Sequence, residues 1–369
     1  MSRARSFSKL INKDNYATYS GSDSVTDISA VSLPQGTLNF RNKIINGDMR
    51  IAQRGTTGTT PSTKNYLLDR FSLSRYGGYP DNATQSQDTD SPSGHLKSLK
   101  FIRNSGHSLT GANASALAYA VEGNDIYHFN WGSSSAKEVT LSFWVKSNKT
   151  GNFSLILTDA NSAYDIGKLY TILEPNTWEH KKVSIEAPTS GGTFNTDNTI
   201  GFWIYWGFGA TDSSRTAQGS TWGVSNTSGT SKSMVTGAST SLATDSGATF
   251  YITGVQLEEG TVPTPFEHRP YGTELALCQR YFYIFDSTGL DDLLYFRSPY
   301  ATGTPPNTTA SVAHFHPVTM RASPDIIATV NGGTINRKTS SNKVVVFQMA
   351  STNINGAYAV TSYTANAEL

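Results

Sequence analysis

The stretch VTLSFWVKS alternates without a break. Val139, Leu141, Phe143 and Val145 fall on one face of an extended chain, and Thr140, Ser142, Trp144 and Lys146 on the other. A period of two does not fit a helix; it demands a sheet with one buried side. The pattern returns in NFSLILTD through Phe153, Leu155 and Leu157, and in WEHKKVSIEAP through Val183 and Ile185. It appears again in GATFYITGVQLEEG through Phe250 and Ile252, up to Gly254. TIGFWIYWGFG is apolar on both sides, with Ile200, Phe202, Ile204, Trp206 and Phe208 opposed to Trp203 and Tyr205. A strand of that kind needs a cover on its second face as well. Short strands separated by Gly and Asn turns predict a mainly β chain, an antiparallel jelly-roll β-sandwich over residues 41–268, with strands expected from NKIINGDMRIAQRG onward.

Composition supports this and narrows the function. The 18 Tyr, 17 Phe and 6 Trp, set among Ser, Thr, Asn and Gly, suit sheets and tight turns. Lys and Arg (29) cancel Asp and Glu (28), and charged residues make up 15% of the chain against roughly 25% in an average soluble domain. Neither nucleic acid nor an anionic membrane is therefore expected as a partner. One cysteine excludes an internal disulfide framework and a multi-cysteine zinc site. MSRARSFSKLINKDN lacks the apolar run of about 7–15 residues of a secretory signal, and no stretch reaches the ~18 apolar residues of a membrane span. The chain is expected to be made in a cytoplasm and to leave it only as part of a larger assembly, without membrane insertion.

Residues 1–40 are poor in large apolar side chains and end at Pro34 and Gly36, which predicts an extended segment that orders only on something else. Residues 210–248 are rich in Ser, Thr and Gly, with Trp222, Val224, Met234, Val235 and Leu242 as their few apolar anchors. So long a loop is expected to be functional or poorly ordered. TELALCQRYFYIF carries apolar positions 278, 281, 282 and 285 in helical spacing, behind Thr273 as a cap and Glu274 for the helix dipole. It predicts a short helical joint over 269–286. SVAHFHPVTM, DIIATVNGGTIN with its Asn331-Gly332 hairpin signal, and NKVVVFQMAS then predict a small C-terminal β-domain over 287–369.

Four stretches in this order, NKIINGDMRIAQRG, YLLDRFSL, VTLSFWVKS and YITGVQLEEGTVPTPFEHRPYGTELALCQRYF, resemble bacteriophage and prophage tail-fibre or related virion proteins. Those proteins are built on a jelly roll similar to carbohydrate-binding modules. The resemblance covers about 41–283, and the closing TANAEL is similar to the ends of such chains. It departs at 210–248 and in the C-terminal domain. It implies attachment to the virion through the N-terminal segment, where Arg3, Arg5, Phe7, Lys9 and Leu10 are the candidate contacts. It further implies a homotrimer, other virion proteins as partners, location in the virion, and a jelly roll that is structural or binds host-surface glycans. A head, neck or tail decoration protein with a purely structural role is the alternative.

Each residue that could carry chemistry also has a plain packing role. Glu258 and Glu259 invite a glycosidase, whose two carboxylates flank the scissile bond, but neighbours in a strand point to opposite faces. Cys278 with His268 suggests a thiol nucleophile, yet Cys278 falls on the apolar stripe of the expected helix. No nucleophile elbow, phosphate-cradling glycine loop or metal-binding helix occurs, so neither a catalytic residue nor a cofactor is expected. His314 and His316 in HFHP share one face of a strand and are the candidate metal ligands, three pairs meeting around a trimer axis. Trp203, Tyr205, Trp131 and Trp222 are the candidate glycan-stacking rings, because sugar C–H faces pack on aromatic planes. Cover by the long loop or by a neighbouring subunit is the competing role for Trp203 and Tyr205.

Overall fold

The computed structural model describes residues 40–369 apart from 60–63, 78–81, 111–112, 212–214, 217–220, 225–233, 287–293, 298–307, 332–333 and 352–356. The chain divides into two units, 1–41 and 42–369, and every strand and helix described belongs to the second. Arg3, Arg5, Phe7, Lys9 and Leu10 lie outside the described residues.

From the first turn onward run β1 (Thr57–Thr59), β2 (Lys64–Tyr66), β3 (Phe71–Tyr76), β4 (Ala83–Asp88), β5 (Ser98–Arg103), β6 (Ala114–Glu122), β7 (Val139–Ser147) and β8 (Gly151–Asp159). They are followed by β9 (Tyr164–Ile172), β10 (Glu179–Ile185), β11 (Ile200–Ala210), β12 (Arg215–Thr216), β13 (Gly223–Val224), β14 (Met234–Val235), the short helix α1 (Ser241–Thr244) and β15 (Thr249–Glu259). Sheet A has the order β1-β4-β5-β15-β7-β10, and sheet B the order β13-β9-β8-β11-β6-β3-β2. Successive strands keep crossing from one sheet to the other, as when β5 in A leads to β6 in B, β7 in A and β8 in B. That winding is the jelly roll the alternation predicts.

The inward positions of both sheets merge into one core. Leu141, Phe143 and Val145 of β7 and Phe250 and Ile252 of β15 meet Leu155 and Leu157 of β8 and Phe202, Ile204 and Trp206 of β11. Trp206 is fully buried and stands edge-on to Phe143, with ring centres 5.8 Å apart. Such edge-to-face contacts add to the burial of large rings that dominates a core of this kind.

The stretch 41–55 departs from expectation: it contains no strand. Ile44, Ile45, Met49 and Ile51 are buried in a run of turns, with Asn46 and Met49 at φ of 61° and 59°. Side chains do the work of a ladder there. Asn42 Oδ1 accepts from Ile44 N and Leu257 N, and Tyr119 Oη accepts from Ile45 N. Buried backbone groups satisfied in this way need no neighbouring strand.

In the 210–248 stretch the described parts lie down on the sandwich. β13 pairs with β9, and β14 pairs parallel to β12. Val235 N donates to Ser154 Oγ at 2.7 Å, and Leu242 of α1 enters the main core.

The predicted helix is cut short. The helix α2 covers Tyr271–Gln279 only, and Phe282–Asp286 is the strand β16. Its N-cap is Pro270 with no side-chain cap, so Thr273 does not cap it; Glu274 does lie in the first turn, buried beside Arg269. Spacing of 278, 281, 282 and 285 fits a helix, but β16 gains a full ladder against the final strand, which wins. Downstream come β17 (Leu294–Arg297), β18 (Thr308–Phe315), β19 (Asp325–Asn331), β20 (Thr334–Ser340), β21 (Val344–Ser351) and β22 (Ala357–Asn366). β16, β17 and β19 all pair with β22, and β18-β21-β20 form a second sheet. Gly332 of the Asn331-Gly332 signal lies outside the described residues; among those described, β19 pairs with β22 and β20 with β21. Val345, Phe347, Val360 and Tyr363 are among the residues of the small core of this domain. No helix among the described residues is long and apolar enough to cross a membrane.

Candidate functional site

The outer face of sheet A carries two rows of side chains that its registers place side by side. In the first, Tyr251 of β15 stands opposite Lys146 of β7 and Lys100 of β5. In the second, Trp144 of β7 stands opposite Thr253 of β15 and His180 of β10. Trp178, just before β10, closes over the first row, its ring 6.1 Å from that of Tyr251. All three large rings, Trp144, Trp178 and Tyr251, are half-buried: held at the edge, open on top.

Charge fixes the platform. The Lys146 ammonium lies 4.4 Å from the Tyr251 ring centre and 5.3 Å from that of Trp178, and it pairs with Asp90. Trp178 Nε1 donates to the same carboxylate at 2.9 Å. The Lys146 hydrogen bond holds the Asp90 carboxyl below its ordinary range, so it stays an acceptor in moderate acid. Lys100 pairs with Asp88 at 2.9 Å and lies 5.2 Å from Tyr251. Trp144 stacks on His180 at 4.9 Å with planes 29° apart. Rings with C–H-accepting faces, bordered by two carboxylates and two ammonium groups, offer what a saccharide needs: a flat apolar floor and charged hydrogen-bonding edges.

The surface continues over a bulge in β15. Gly254 has φ +61°, and a Cβ there would lie 2.7 Å from His95 Cε1 and 3.0 Å from Trp144 Cδ1. Glycine lets His95 lie against the strand, its ring 5.0 Å from Phe266 and 5.6 Å from His268. Burial, with a smaller contribution from the charge of His268, pushes the His95 imidazole down to about 4. An unfolded histidine titrates near 6.5, so as pH falls from about 6.5 to 4 the unfolded chain takes a proton that the folded chain refuses. The stabilisation is present above that window and lost through it. The melting temperature is expected to fall between pH 7 and pH 4.5, and His95→Phe is expected to make that fall smaller. An unchanged pH profile in the variant would count against this.

The residues singled out in the sequence fall elsewhere. Trp203 and Tyr205 stack at 5.9 Å on the outer face of sheet B but are only 6% and 4% exposed. Their cross-strand neighbours on β6 are Ala120 and Ala118, small enough for the rings to lie flat, and Val235 joins the same cluster. They are covered and offer no open face to a sugar. Trp131 and Trp222 are brought together, ring centres 5.4 Å apart, at the edge of the main core. Trp222 is buried and donates from Nε1 to Glu186 O at 2.7 Å; Trp131 is half-buried.

His314 and His316 are turned inward while Phe315 is 71% exposed. His314 Nδ1 lies 2.6 Å from Tyr363 Oη, and both imidazoles sit among Tyr283 and Tyr363, where burial pushes each below its ordinary range. Among the described residues no group of three or more His, Cys, Asp or Glu could hold a metal ion.

Glu258 is buried and accepts from Thr264 N, Thr264 Oγ1 and Gln256 Nε2, while Glu259 pairs with Lys137 at 3.0 Å. Cys278 is fully buried with Ile45, Ile51 and Tyr281, and burial pushes its thiol well up, so it acts as a small hydrophobe. Trp144, Trp178 and Tyr251 were missed as candidates. The signal was present: Trp144 occupies the polar face of VTLSFWVKS, where a large ring has no packing reason to be.

No family model matches the sequence, and no curated protein matches it. Among solved structures the chain is similar to the enzymatically active domain of bacteriophage CBA120 tailspike protein 4, at 13% identity and a TM-score of 0.31, over 60% of this chain and 22% of that one. It is similar to the family 11 carbohydrate-binding module of the cellulosomal cellulase Lic26A-Cel5E of Clostridium thermocellum, at 11% identity and a TM-score of 0.28, over 58% of this chain and 100% of that one. The C-terminal family 22 carbohydrate-binding module of Clostridium thermocellum Xyn10B gives 13% identity and a TM-score of 0.26, over 52% and 88%. Likenesses at this level carry no argument about function; the fold rests on the sheet orders and registers.

Proposed function

We propose that this chain is a bacteriophage virion fibre protein, attached through residues 1–40 and holding host-surface glycans on the outer face of sheet A. The observation that carries the reading is the pair of rings Trp178 and Tyr251, preset by Lys146 and Asp90, with Trp144 on the same face of the sheet stacked on His180. The resemblance of four linked stretches to tail-fibre proteins supports the virion setting and a homotrimer, in which three weak platforms act together. The chain acts here by binding, without catalysis.

The test is affinity electrophoresis of the purified chain in gels containing host surface polysaccharide. Trp178→Ala and Tyr251→Ala are each expected to weaken retention about tenfold, one stacked ring being removed each time. Melting temperatures should hardly change, since these rings lie outside the core. Undiminished retention with both rings removed would overturn the platform. No retention by the wild-type chain would favour the purely structural decoration role.

A further inference from the structure

A second concavity lies away from sheet A, at the edge of the sandwich where 127–133 faces 194–196, with a volume of about 250 Å³. Its floor is apolar. Phe129 is buried and anchors a 3-10 turn over Tyr127–Phe129, which ends at Asn130 in the left-handed region, φ 54°. Trp131 follows, wedged between Phe202 at 4.7 Å and Phe194 at 5.3 Å, its Nε1 donating to Lys137 O at 2.8 Å. The ring is thus fixed in the wall of the cleft. Tyr127, 64% exposed, stands at its mouth.

The rim is polar and carries no carboxylate or ammonium group. Asn130, Ser133, Asn195 and Thr196 supply amides and hydroxyls, with Asn195 set by a 2.9 Å bond from Nδ2 to Ile200 O. We infer that this cleft binds a single uncharged sugar ring, a site separate from the sheet A platform. Three properties select that ligand. The volume is below the roughly 300–1,000 Å³ of a pocket for a drug-sized molecule, so one ring fits and a chain does not. The fixed Trp131 indole and the exposed Tyr127 phenol at the mouth offer planes for a C–H face. A rim of neutral groups that both donate and accept matches hydroxyls, and it provides no partner for a charge that would have to shed water.

The inference goes beyond the platform and does not depend on it. The full chain is titrated by saturation-transfer NMR with the methyl glycosides of glucose, galactose, mannose and N-acetylglucosamine, and with glucuronate as the charged probe. At least one neutral glycoside is expected to saturate with a Kd on the order of millimolar, as suits so small a ligand. Tyr127→Ala should weaken it about tenfold by removing one stacking ring. Because Tyr127 is exposed, the melting temperature should stay put. Trp178→Ala should leave this binding intact. The inference fails if no neutral glycoside saturates, if glucuronate binds equally well, or if Tyr127→Ala has no effect. It also fails, with the platform left standing, if Trp178→Ala abolishes the signal.

Discussion

Glu368→Ala is expected to destabilise the protein by about 3–5 kcal/mol, the cost of leaving a buried charge without its partner. Glu368 Oε2 lies 2.5 Å from Arg70 Nη1, and both side chains are almost completely buried. Arg70 also donates to Ala120 O at 2.6 Å, and its guanidinium lies 3.5 Å from the centre of the Tyr281 ring. Burial alone would lower its pKa, but Glu368 and the surrounding tyrosines more than reverse this, so Arg70 stays charged. Removing the carboxylate therefore strands a cation that cannot neutralise itself. Arg54, 3.2 Å from the other carboxylate oxygen, loses a partner too.

Because Glu368 follows β22 whereas Arg70 precedes β3, the pair ties the C-terminal sheets to the sandwich. At about 2–4 °C per kcal/mol for a domain of this order, calorimetry should show a drop on the order of 10 °C. It should also show an early transition as the small core melts first. Glu368→Gln, which keeps an acceptor, should lose less. A single transition within about 2 °C of wild type for Glu368→Ala would refute the tie.

That network changes the meaning of the stretches that carried the family resemblance. NKIINGDMRIAQRG, YLLDRFSL, TELALCQRYF and TANAEL are far apart in sequence and meet at one place. Asp69 accepts from Gln53, Arg70 pairs with Glu368, and Tyr281 and Arg280 both engage Glu122. Arg269 pairs with Glu274 and donates to Asn42 O and Ile44 O. The proline-spaced segment before α2 is fastened to the sandwich, Thr264 N donating to Glu258, Glu267 N to Gln256 Oε1, and Phe266 lying against His95. These stretches thus mark a joint where two cores are held together, while the remaining one, VTLSFWVKS, forms β7 and carries Trp144 of the candidate platform.

Physical range decides what the sequence could reveal. Period-two alternation is local, so β7, β8, β10, β11 and β15 were legible, and the two-sided apolarity of β11 foretold a covered outer face. The turns at 41–55 were not, because their hydrogen bonds go to side chains of distant residues such as Tyr119. Helix and strand competed at 281–285, and only pairing with β22, some 80 residues away in sequence, settles it. Trp144 was visible on the second face of β7, but Tyr251 comes from β15 and Trp178 from the residue just before β10, and no local pattern joins the three.

Asn46→Ala should cost at least about 3 kcal/mol, close to the effect at Glu368, for a different reason. Asn46 is fully buried, and its amide completes a piece of ladder by itself. Nδ2 donates to Ile51 O at 2.9 Å and Asp69 O at 3.0 Å, while Oδ1 accepts from Ile51 N at 2.9 Å. Alanine would leave the buried Ile51 N and Asp69 O without the partner asparagine gives them, each costing about 1–3 kcal/mol before relaxation, while Ile51 O would keep only its bond from Asp69 N. It would also place an ordinary side chain at φ 61°, where asparagine is tolerated and alanine is strained. Asn46→Gly separates the two effects: it accepts the backbone but restores no bond, so it should recover only the strain, about 1 kcal/mol. The next residue leaves little room to adjust, since a Cβ on Gly47 would lie 2.2 Å from Val255 O. Urea unfolding of the three proteins, with stability in the order Asn, Gly, Ala, is the expected result. If Ala and Gly were equal, strain would have no part in it; if Gly matched Asn, the amide bonds would contribute nothing, and the turns at 41–55 would be held by the Asn42 and Tyr119 bonds and by burial of Ile44, Ile45 and Ile51.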